Sequence, residues 1–425
     1  MSHKLSQTAP EPGAKAALVP RLRFPEFRGG STWKSWKVDD LVDTVTPPKK
    51  LPTSTYSSTG DFPIIDQSQS SICGWTNDHE ALIQNDLPLI IFGDHTCILK
   101  LLNRPFAQGA DGIKILRSRP AIDSLYLYQF LSHKPVVIEE YKRHYSILKE
   151  KVVLLPDIKT GEQQKIADCL NSLDELIAAQ ARKVDALKTH KNGLMQQLFP
   201  REGETQPALR FPEFQAQGDW TTSSIQELID KKFIVGHLDG NHGSLYPRAE
   251  EFSDSGVPYI SATSFNNGGI DFGRCKFLPM ERAAQFKKGV ARDGDILFAH
   301  NATVGPVAKL NTKQDFVILS TSLTYFRCNR AHLSNDFLQC ALVSPGFVDQ
   351  CARVMSQSTR NQIPITTQRT FSLQLPTLSE QLRIADCVAS LDDLITVGAQ
   401  ELDTLKTHKK GLMQQLFPAA EEVAA

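Results

Sequence analysis

The 425-residue sequence predicts an α+β fold in which two globular, β-rich α/β domains are joined by two long helices. The helices are expected to form an antiparallel coiled coil with pseudo-two-fold symmetry. Three observations lead to this prediction. A long helical segment occurs twice, a short motif reading LRFPEF occurs twice, and each copy of the motif is followed by a diverged segment with strand-like patterns. The chain is therefore one unit written twice.

The duplicated helical segment spans Glu162 to Pro200 and again Glu380 to Pro418, and each position maps onto its counterpart by adding 218. Apolar residues alternate at spacings of four and three, the seven-residue period of a supercoiled seam. The prolines end both helices because proline cannot continue the hydrogen-bond ladder. The alternative is that each helix packs only on its own domain. The predicted seam residues are Ile166, Leu170, Leu173, Ile177, Val184, Leu187, Leu194, Leu198, Ile384, Val388, Leu391, Ile395, Leu402, Leu405, Leu412 and Leu416.

Chain length and charge both favour an antiparallel arrangement. Only about ten residues separate Pro200 from Arg210, where the next folded segment begins, so the second helix has to run back. Each helix is acidic in its first half and basic in its second, and antiparallel pairing sets opposite charges against each other. Full overlap would place Gln180 near Gly398, where the seam is interrupted in both copies.

Composition excludes several classes of protein. No run of about 18 apolar residues is present and the N-terminus lacks the apolar core of a signal peptide, so a cytoplasmic location is expected. The eight cysteines form no CxxC pair, which favours reduced thiols over zinc or disulfides. Lysine plus arginine balance aspartate plus glutamate at 47 each, so net charge alone gives no support for a nucleic-acid partner.

The second repeat is LRFPEF itself, at Leu22–Phe27 and Leu209–Phe214. The offset here is 187, so the variable segment before the second helix is longer by 218 minus 187, or 31 residues. PIIDQSQSSICG in the first segment parallels PYISATSFNNGG in the second, and LPLIIFGDHTCI parallels DGDILFAHNATV. Both pairs are typical of a buried strand that ends in a polar tip. Short helices are expected near Leu125–Leu131 and Phe337–Val343.

This layout resembles the specificity subunit of Type I restriction-modification systems over nearly the whole chain. The most specific motifs are the EQ-x-x-IA lead-ins that end at Ala167 and Ala385, the GLMQQLF helix ends, and the PYIS, NGGI and GDILF progression of the second variable segment. The first variable segment is shorter and lacks GDILF. The resemblance implies two target-recognition domains, each reading half of a split DNA site, on an antiparallel coiled coil that sets the spacing.

With this resemblance the chain is divided as follows: a flexible N-terminal arm (1–20), a first target-recognition domain (21–158), a first spacer helix (159–200), a linker with the second target-recognition domain (201–378), a second spacer helix (379–418) and a tail (419–425). Two different domains on one chain suit an asymmetric site, whereas a symmetric dimer would require a palindrome.

Base reading requires amide, guanidinium and hydroxyl groups on loops, and phosphate contacts require lysine and arginine. The candidate base-reading residues are Gln67, Ser68, Gln69, Asp94, His95, Thr263, Ser264, Asn266, His300, Asn301, Arg360, Asn361 and Gln362. The candidate phosphate contacts are Lys49, Lys50, Arg104, Lys142, Arg143, Lys287, Lys288 and Arg369. The alternative for each residue is an ordinary solvated loop side chain.

Outward-facing residues near the ends of both helices are also duplicated: Lys188 with Lys406, His190 with His408, and Gln196 with Gln414. Docking of a partner would explain identity at solvent-facing positions, and recent duplication is the alternative. The resemblance implies double-stranded DNA, two methyltransferase subunits and restriction motor-nuclease subunits as partners, and no membrane.

No catalytic motif is found in the sequence. It lacks a GxGxxG dinucleotide turn, a phosphate-binding loop and the Asn-Pro-Pro-aromatic tetrapeptide of amino-methyltransferases. Asp293 and Asp295 fit a turn before a strand, and His237 and His242 lack a third metal ligand. We expect a non-catalytic subunit of a DNA adenine methyltransferase and Type I restriction endonuclease complex, with no bound cofactor or metal. S-adenosylmethionine is expected on the partner methyltransferase. A non-DNA scaffold with two binding domains, or an enzyme with its site in a variable domain, are the alternatives.

Overall fold

The computed structural model describes residues 19–110, 112–138, 143–266, 268–357 and 360–418. The arm expected over 1–20 lies almost entirely outside these residues, and the tail over 419–425 lies wholly outside them. The described chain divides into two compact units. The first unit contains the residues up to Arg182 together with those from Ala399 onward, and the second unit is Lys183–Gly398. Each unit therefore combines one globular domain with one half of each long helix.

The first unit is built mainly from short strands. Its strands are β1 (Lys34–Lys37), β2 (Val42–Val45), β3 (Phe62–Ile65), β4 (Gly74–Thr76), β5 (Leu82–Ile83), β6 (Leu89–Gly93), β7 (Leu99–Leu102), β8 (Phe106–Gln108), β9 (Ile113–Ser118) and β10 (Val152–Leu155). Its helices are α1 (Val38–Leu41), α2 (Ser124–His133), α3 (Tyr145–Glu150) and the start of α4 (Glu162–Leu198).

Two four-stranded sheets organise this domain, in the orders β2-β9-β6-β7 and β4-β3-β8-β5, and β1 pairs with β10. All pairings are antiparallel except that of β3 with β8, which is parallel. Strand β6 is buried along its whole length because it is central in its sheet and covered on both faces. The predicted strand that ends in a polar tip is thus present at Leu89–Gly93.

The second unit repeats this composition with additional elements. Its strands are β11 (Thr221–Ser224), β12 (Ile234–Asp239), β13 (Val257–Ile260), β14 (Phe265–Asn266), β15 (Gly269–Ile270), β16 (Lys276–Leu278), β17 (Val290–Ala291), β18 (Ile296–Asn301), β19 (Thr303–Lys309), β20 (Val317–Leu319), β21 (Leu323–Cys328) and β22 (Ser372–Leu375). Its helices are α5 (Ile225–Asp230), α6 (Met280–Ala283), α7 (Asn335–Leu342), α8 (Pro345–Ser356), α9 (Ile365–Gln368) and the start of α10 (Leu378–Leu416).

The two domains share one topology. The second has sheets in the orders β12-β21-β18-β19 and β16-β13-β20-β17, with the parallel pair at β13 and β20 and a two-stranded pair β11-β22. Strands β6 and β18 therefore occupy the same place, as the parallel between LPLIIFGDHTCI and DGDILFAHNATV predicted. The short helices expected near Leu125 and Phe337 are α2 and α7. The β14-β15 hairpin and α8 account for part of the longer second segment.

The two long helices run antiparallel within each unit. In the first unit, Lys409 Nζ lies 2.6 Å from both carboxylate oxygens of Asp174, and the Gln180 amide donates to Glu401 at 2.9 Å. In the second unit, Lys191 contacts Asp392 at 2.5 and 2.7 Å. The sixteen predicted seam residues are all buried or half-buried. The predicted fold class, a mixed α+β chain with two long helices, is confirmed.

No helix in the described part of the chain combines the length and the apolar character that a bilayer crossing requires.

Candidate nucleic-acid interface

In the second unit, the end of β18 lies beside the segment 360–363. The Ala302 amide donates to the Asn361 carbonyl at 2.9 Å, and the Ile363 amide donates to the His300 carbonyl at 2.8 Å. Asn301 and Gln362 form an antiparallel bridge between the same two segments. Ala302 has a φ of 64°, a left-handed conformation that turns the chain directly after the strand. Predicted candidates from two distant stretches of sequence thus come together here.

Ser322 connects the end of β18 to the loop after β13. Ser322 Oγ accepts from the Ala262 amide at 3.1 Å, and the Ser322 carbonyl accepts from the His300 amide at 2.9 Å. Thr263 and Asn266 of that loop are exposed. We define the reading cluster as the base-reading candidates of this unit whose side chains are exposed or half-buried: Thr263, Asn266, Asn301, Arg360, Asn361 and Gln362. Ser358 and Thr359, which precede the cluster in sequence, lie outside the described residues.

Two candidates of the second unit are buried. His300 is 2 % exposed and Ser264 is fully buried. Ser264 makes a local turn instead, since its hydroxyl accepts from the Ser261 amide at 3.3 Å and its amide donates back to the Ser261 carbonyl at 2.9 Å. Tertiary packing encloses both side chains, and the Ser264 hydroxyl holds the loop beneath the reading cluster. A base contact from either residue stays a prediction.

A buried polar network lies behind segment 360–363. The amide nitrogen of Gln368 donates to the Ile363 carbonyl at 3.0 Å and to Thr324 Oγ1 at 3.1 Å, and its oxygen accepts from His237 Nε2 at 3.2 Å. Arg369 Nε lies 3.5 Å from His237 Nδ1. Because a guanidinium can only donate, this contact favours the neutral tautomer with the proton on Nε2. Burial lowers the pKa of His237 to about 4. Arg369, a candidate phosphate contact, is half-buried and is the outermost member of this network.

At the corresponding position of the first unit, Asp94 follows β6 and is only 4 % exposed. Its carboxylate accepts from the Tyr145 amide at 2.8 Å and its carbonyl accepts from the His144 amide at 2.8 Å, so it holds the start of α3. Asp94 therefore has a structural role at the start of α3, and base reading by this residue stays a prediction. The sequence showed a polar residue at a strand end and not the helix that covers it.

The other candidates of the first unit lie close to this strand end. Gln67 Oε1 accepts from the His95 amide at 3.4 Å, and the Gln67 carbonyl accepts from Thr96 Oγ1 at 2.9 Å. Gln67, Ser68 and His95 are half-buried, and Gln69 is exposed. Both units present primary amides here, and the first unit adds an imidazole where the second unit adds a guanidinium. The two domains therefore differ in chemistry at the same topological position.

The basic candidates are on the surface but several already have partners. Lys49 Nζ lies 2.7 Å from Asp78, and the Arg104 guanidinium lies 5.6 Å from the centre of the Trp75 ring. Lys50, Arg143, Lys287 and Lys288 are exposed, and Lys142 lies outside the described residues. An exposed ion pair is worth little in water, so Lys49 can exchange Asp78 for a phosphate.

The residues that resembled catalytic groups have structural partners. Asp295 is buried and pairs with Arg327 at 2.7 Å, after a turn in which Gly294 has a φ of 82°. His242 Nε2 contacts the Leu319 carbonyl at 2.7 Å. Among the described residues no group of three or more histidine, cysteine, aspartate or glutamate side chains is placed to hold a metal ion.

The six duplicated helix residues, Lys188, His190, Gln196, Lys406, His408 and Gln414, are all exposed. A second duplicated set lies in the first turn of each helix, the glutamate and glutamine at 162–163 and 380–381, which are buried. They are the EQ of the EQ-x-x-IA motif, to which the sequence alone assigned no role. The available signal was their identity in both copies at positions that continue no apolar stripe.

Two solved structures share this fold. The crystal structure of a Type-I restriction-modification system S subunit from M. genitalium matches with a TM-score of 0.64 and 16 % identity, covering 94 % of this chain and 99 % of that one. A chain from a study of complex assembly and conformational transition of the type I R-M system matches with a TM-score of 0.51 and 15 % identity, covering 91 % and 98 %. The fold is that of Type I specificity subunits.

The sequence comparisons agree. Residues 217–407 match the family described as Type I restriction modification DNA specificity domain. The MjaVIII specificity subunit of Methanocaldococcus jannaschii, a Type I restriction enzyme subunit, is 22 % identical over 412 residues, covering 93 % of each chain. A putative MjaX specificity subunit from the same organism is 25 % identical over 322 residues, covering 72 % of this chain and 71 % of the relative. The predicted resemblance to Type I specificity subunits is confirmed.

Proposed function

We propose that this chain reads a bipartite duplex DNA site, each target-recognition domain binding one half, and that it docks methyltransferase and motor-nuclease subunits. The observation that carries the proposal is the contrast between the two units: the same sheet topology presents different polar groups at the ends of β6 and β18. One scaffold with two different reading surfaces suits a site with two different halves.

The proposed reading proceeds through side chains on loops fixed by the sheets. In the second domain, Asn361 and Gln362 would pair with base edges while Lys287 and Lys288 contact phosphates. Amide side chains can bond adenine N6 and N7 together, and lysines position the protein without reading sequence. In the first domain, Gln69 and His95 would contact base edges.

Binding selection tests this directly. The purified chain is presented with duplexes that carry two randomised windows separated by a gap of variable length. The proposal expects recovery of two unrelated short sequences at one gap, with affinity that falls steeply as salt rises. Recovery of no duplex above background would favour a non-DNA scaffold, and methyl transfer by the isolated chain with S-adenosylmethionine would favour an enzyme.

The exposed duplicated helix residues support the docking of two copies of one partner, which we assign to methyltransferase subunits that bind S-adenosylmethionine. Lys188→Glu and Lys406→Glu are each expected to remove one partner copy, and the double variant both. Lys410, whose counterpart is Asn192, is the matched control because it is exposed on the same helix but not duplicated. Light scattering of the assembled complex measures the number of copies, and an unchanged number in both single variants would contradict this assignment.

A further inference from the structure

A glutamate and a glutamine in the first turn of each long helix are buried. Glu162 and Gln163 are 0 % and 1 % exposed, and Glu380 and Gln381 are 1 % and 2 % exposed. Charged side chains are almost never fully buried unless they are paired, and a first helical turn usually faces water. These four residues therefore have partners that enclose them.

The glutamate partner is the arginine of the LRFPEF motif. Arg23 Nε and Nη2 each lie 2.6 Å from an oxygen of Glu162, and Arg210 makes the same two contacts with Glu380 at 2.8 Å. Each arginine also donates to two main-chain carbonyls just after its motif: Gly30 and Ser31 in the first unit, Gln217 and Gly218 in the second. The two-point ion pair thus ties the start of each domain to the start of its long helix.

The glutamine partner is a helix inside the domain. Gln163 Oε1 accepts from the amide of Asp123, the N-cap of α2, at 2.9 Å, and its nitrogen donates to the Ala121 and Pro156 carbonyls. Gln381 Oε1 accepts from the amide of Ser334, the N-cap of α7, at 3.0 Å, and its nitrogen donates to the His332 and Pro376 carbonyls. All three hydrogen bonds are the same in both units.

A main-chain bond joins the motif to the other long helix. The Leu22 amide donates to the Gln415 carbonyl at 3.0 Å in the first unit, and the Leu209 amide donates to the Gln197 carbonyl at 2.9 Å in the second. The LRFPEF segment therefore contacts the start of one helix through its arginine and the end of the other through its leucine. Each domain is held to both helices of its own unit.

We propose that this joint, defined as Arg23, Glu162 and Gln163 in the first unit and Arg210, Glu380 and Gln381 in the second, fixes the orientation of each recognition domain on its helices and thereby the gap between half-sites. These are positioning residues: they lie apart from the reading loops and act through the domain they hold. The inference rests on the proposed DNA-reading function.

The physical argument is one of angular freedom. Each glutamine bridges a helix and a domain with three bonds, so a domain can rotate on its helix only by breaking buried hydrogen bonds. A domain free to rotate moves its loops along the duplex, where one base pair advances only about 3.4 Å. The reading surfaces diverged between the units, while the two arginine–glutamate bonds and the three glutamine bonds of the joint recur in both. This is expected if the joint sets placement and the loops set sequence.

The test measures the distribution of gaps, because a role in stability alone would not change it. Gln381→Met keeps the side-chain volume and removes the hydrogen bonds, Gln163→Met does the same in the other unit, and Gln400→Met is the control at an exposed position of the same helix as Gln381. Wild type and control are expected to select one gap. Each joint variant is expected to recover the same half-site sequences with gaps one base pair longer and shorter, and with the preference for the original gap reduced about tenfold, or about 1.4 kcal/mol.

Circular dichroism and thermal melting establish that each variant is folded. If the glutamine variants do not fold, the gap distribution is measured with Arg210→Lys, which keeps the charge but loses the two-point geometry. A folded variant that binds more weakly but still selects the single original gap would overturn the proposal that the joint sets the gap. Failure of the wild-type chain to select any bipartite duplex would instead overturn the proposed function.

Discussion

Lys409 and Asp174 lie on the two long helices of the first unit, with the lysine nitrogen 2.6 Å from both carboxylate oxygens. Their counterparts after addition or subtraction of 218 are Lys191 and Asp392, which make the same ion pair in the second unit. One pair of residues thus occurs twice with the helices exchanged. This repetition is what an antiparallel pairing of two copies requires, and a parallel pairing would set like charges together.

The Lys409–Asp174 contact is expected to couple the helices measurably. Lys409 is largely buried, and Asp174 also accepts from the buried Gln129 at 2.7 Å. We expect a double-mutant cycle of Lys409→Ala and Asp174→Ala, followed by chemical denaturation, to give a coupling free energy of about 1 kcal/mol. Strictly additive single changes would show that the pair contributes nothing to helix association.

The Arg210–Glu380 pair is expected to respond more strongly because both side chains are almost fully buried. Hydrogen bonding to Glu380 raises the pKa of Arg210. Arginine is charged at neutral pH even without such a partner, so replacing Glu380 by a neutral residue leaves a buried, unpaired guanidinium. Glu380→Gln is expected to cost about 3–5 kcal/mol in unfolding free energy measured in urea. Asp393→Asn, at an exposed position of the same helix, is the control, and equal effects of the two changes would contradict this ranking.

Stability is expected to fall in mild acid through His237. Its pKa is lowered to about 4 from 6.5 by burial, so the unfolded chain binds a proton that the folded chain does not. The stability that neutral, buried His237 contributes is fully present above about pH 6.5. As the pH falls toward 4, the free energy of unfolding decreases progressively, by about 3 kcal/mol in all. His237→Gln is expected to reduce the slope of unfolding free energy against pH between pH 6.5 and 4. His79→Gln, at an exposed position, is expected to leave that slope unchanged. A slope insensitive to His237 would exclude this origin.

Sequence reading in the second domain is expected to depend on Asn361 and neighbouring residues of the reading cluster. Asn361→Ala is expected to weaken binding of the second half-site by about 1–3 kcal/mol and to relax its base preference, without changing the first. Lys287→Ala is the contrasting change, which should weaken binding to all sequences and reduce the salt slope by about one. If Asn361→Ala also relaxed the base preference at the first half-site, this would contradict the proposal that each domain reads only one half-site.

The repeats predicted the two long helices because periodicity is local information. Val184 and Leu402 belong to a seven-residue pattern that needs no knowledge of the fold. Strands β6 and β18 were likewise evident from apolar runs before polar tips. The burial of Asp94 and His300 could not be predicted, because α3 and segment 360–363, which bond to them, lie at least 50 residues away in sequence. The roles of Glu162 and Gln381 were hidden for the same reason, since their partners are 139 and 47 residues distant.

The account depends above all on the paired helices acting as a ruler between the two reading domains. Deleting one seven-residue repeat from each helix, residues 180–186 and 396–402, preserves the seam and shortens both helices by about 10 Å. Binding selection with this variant is expected to recover the same two half-sites at a gap about three base pairs shorter, and deletion from only one helix to abolish binding. Recovery of the original gap by the doubly shortened, folded chain would contradict the account.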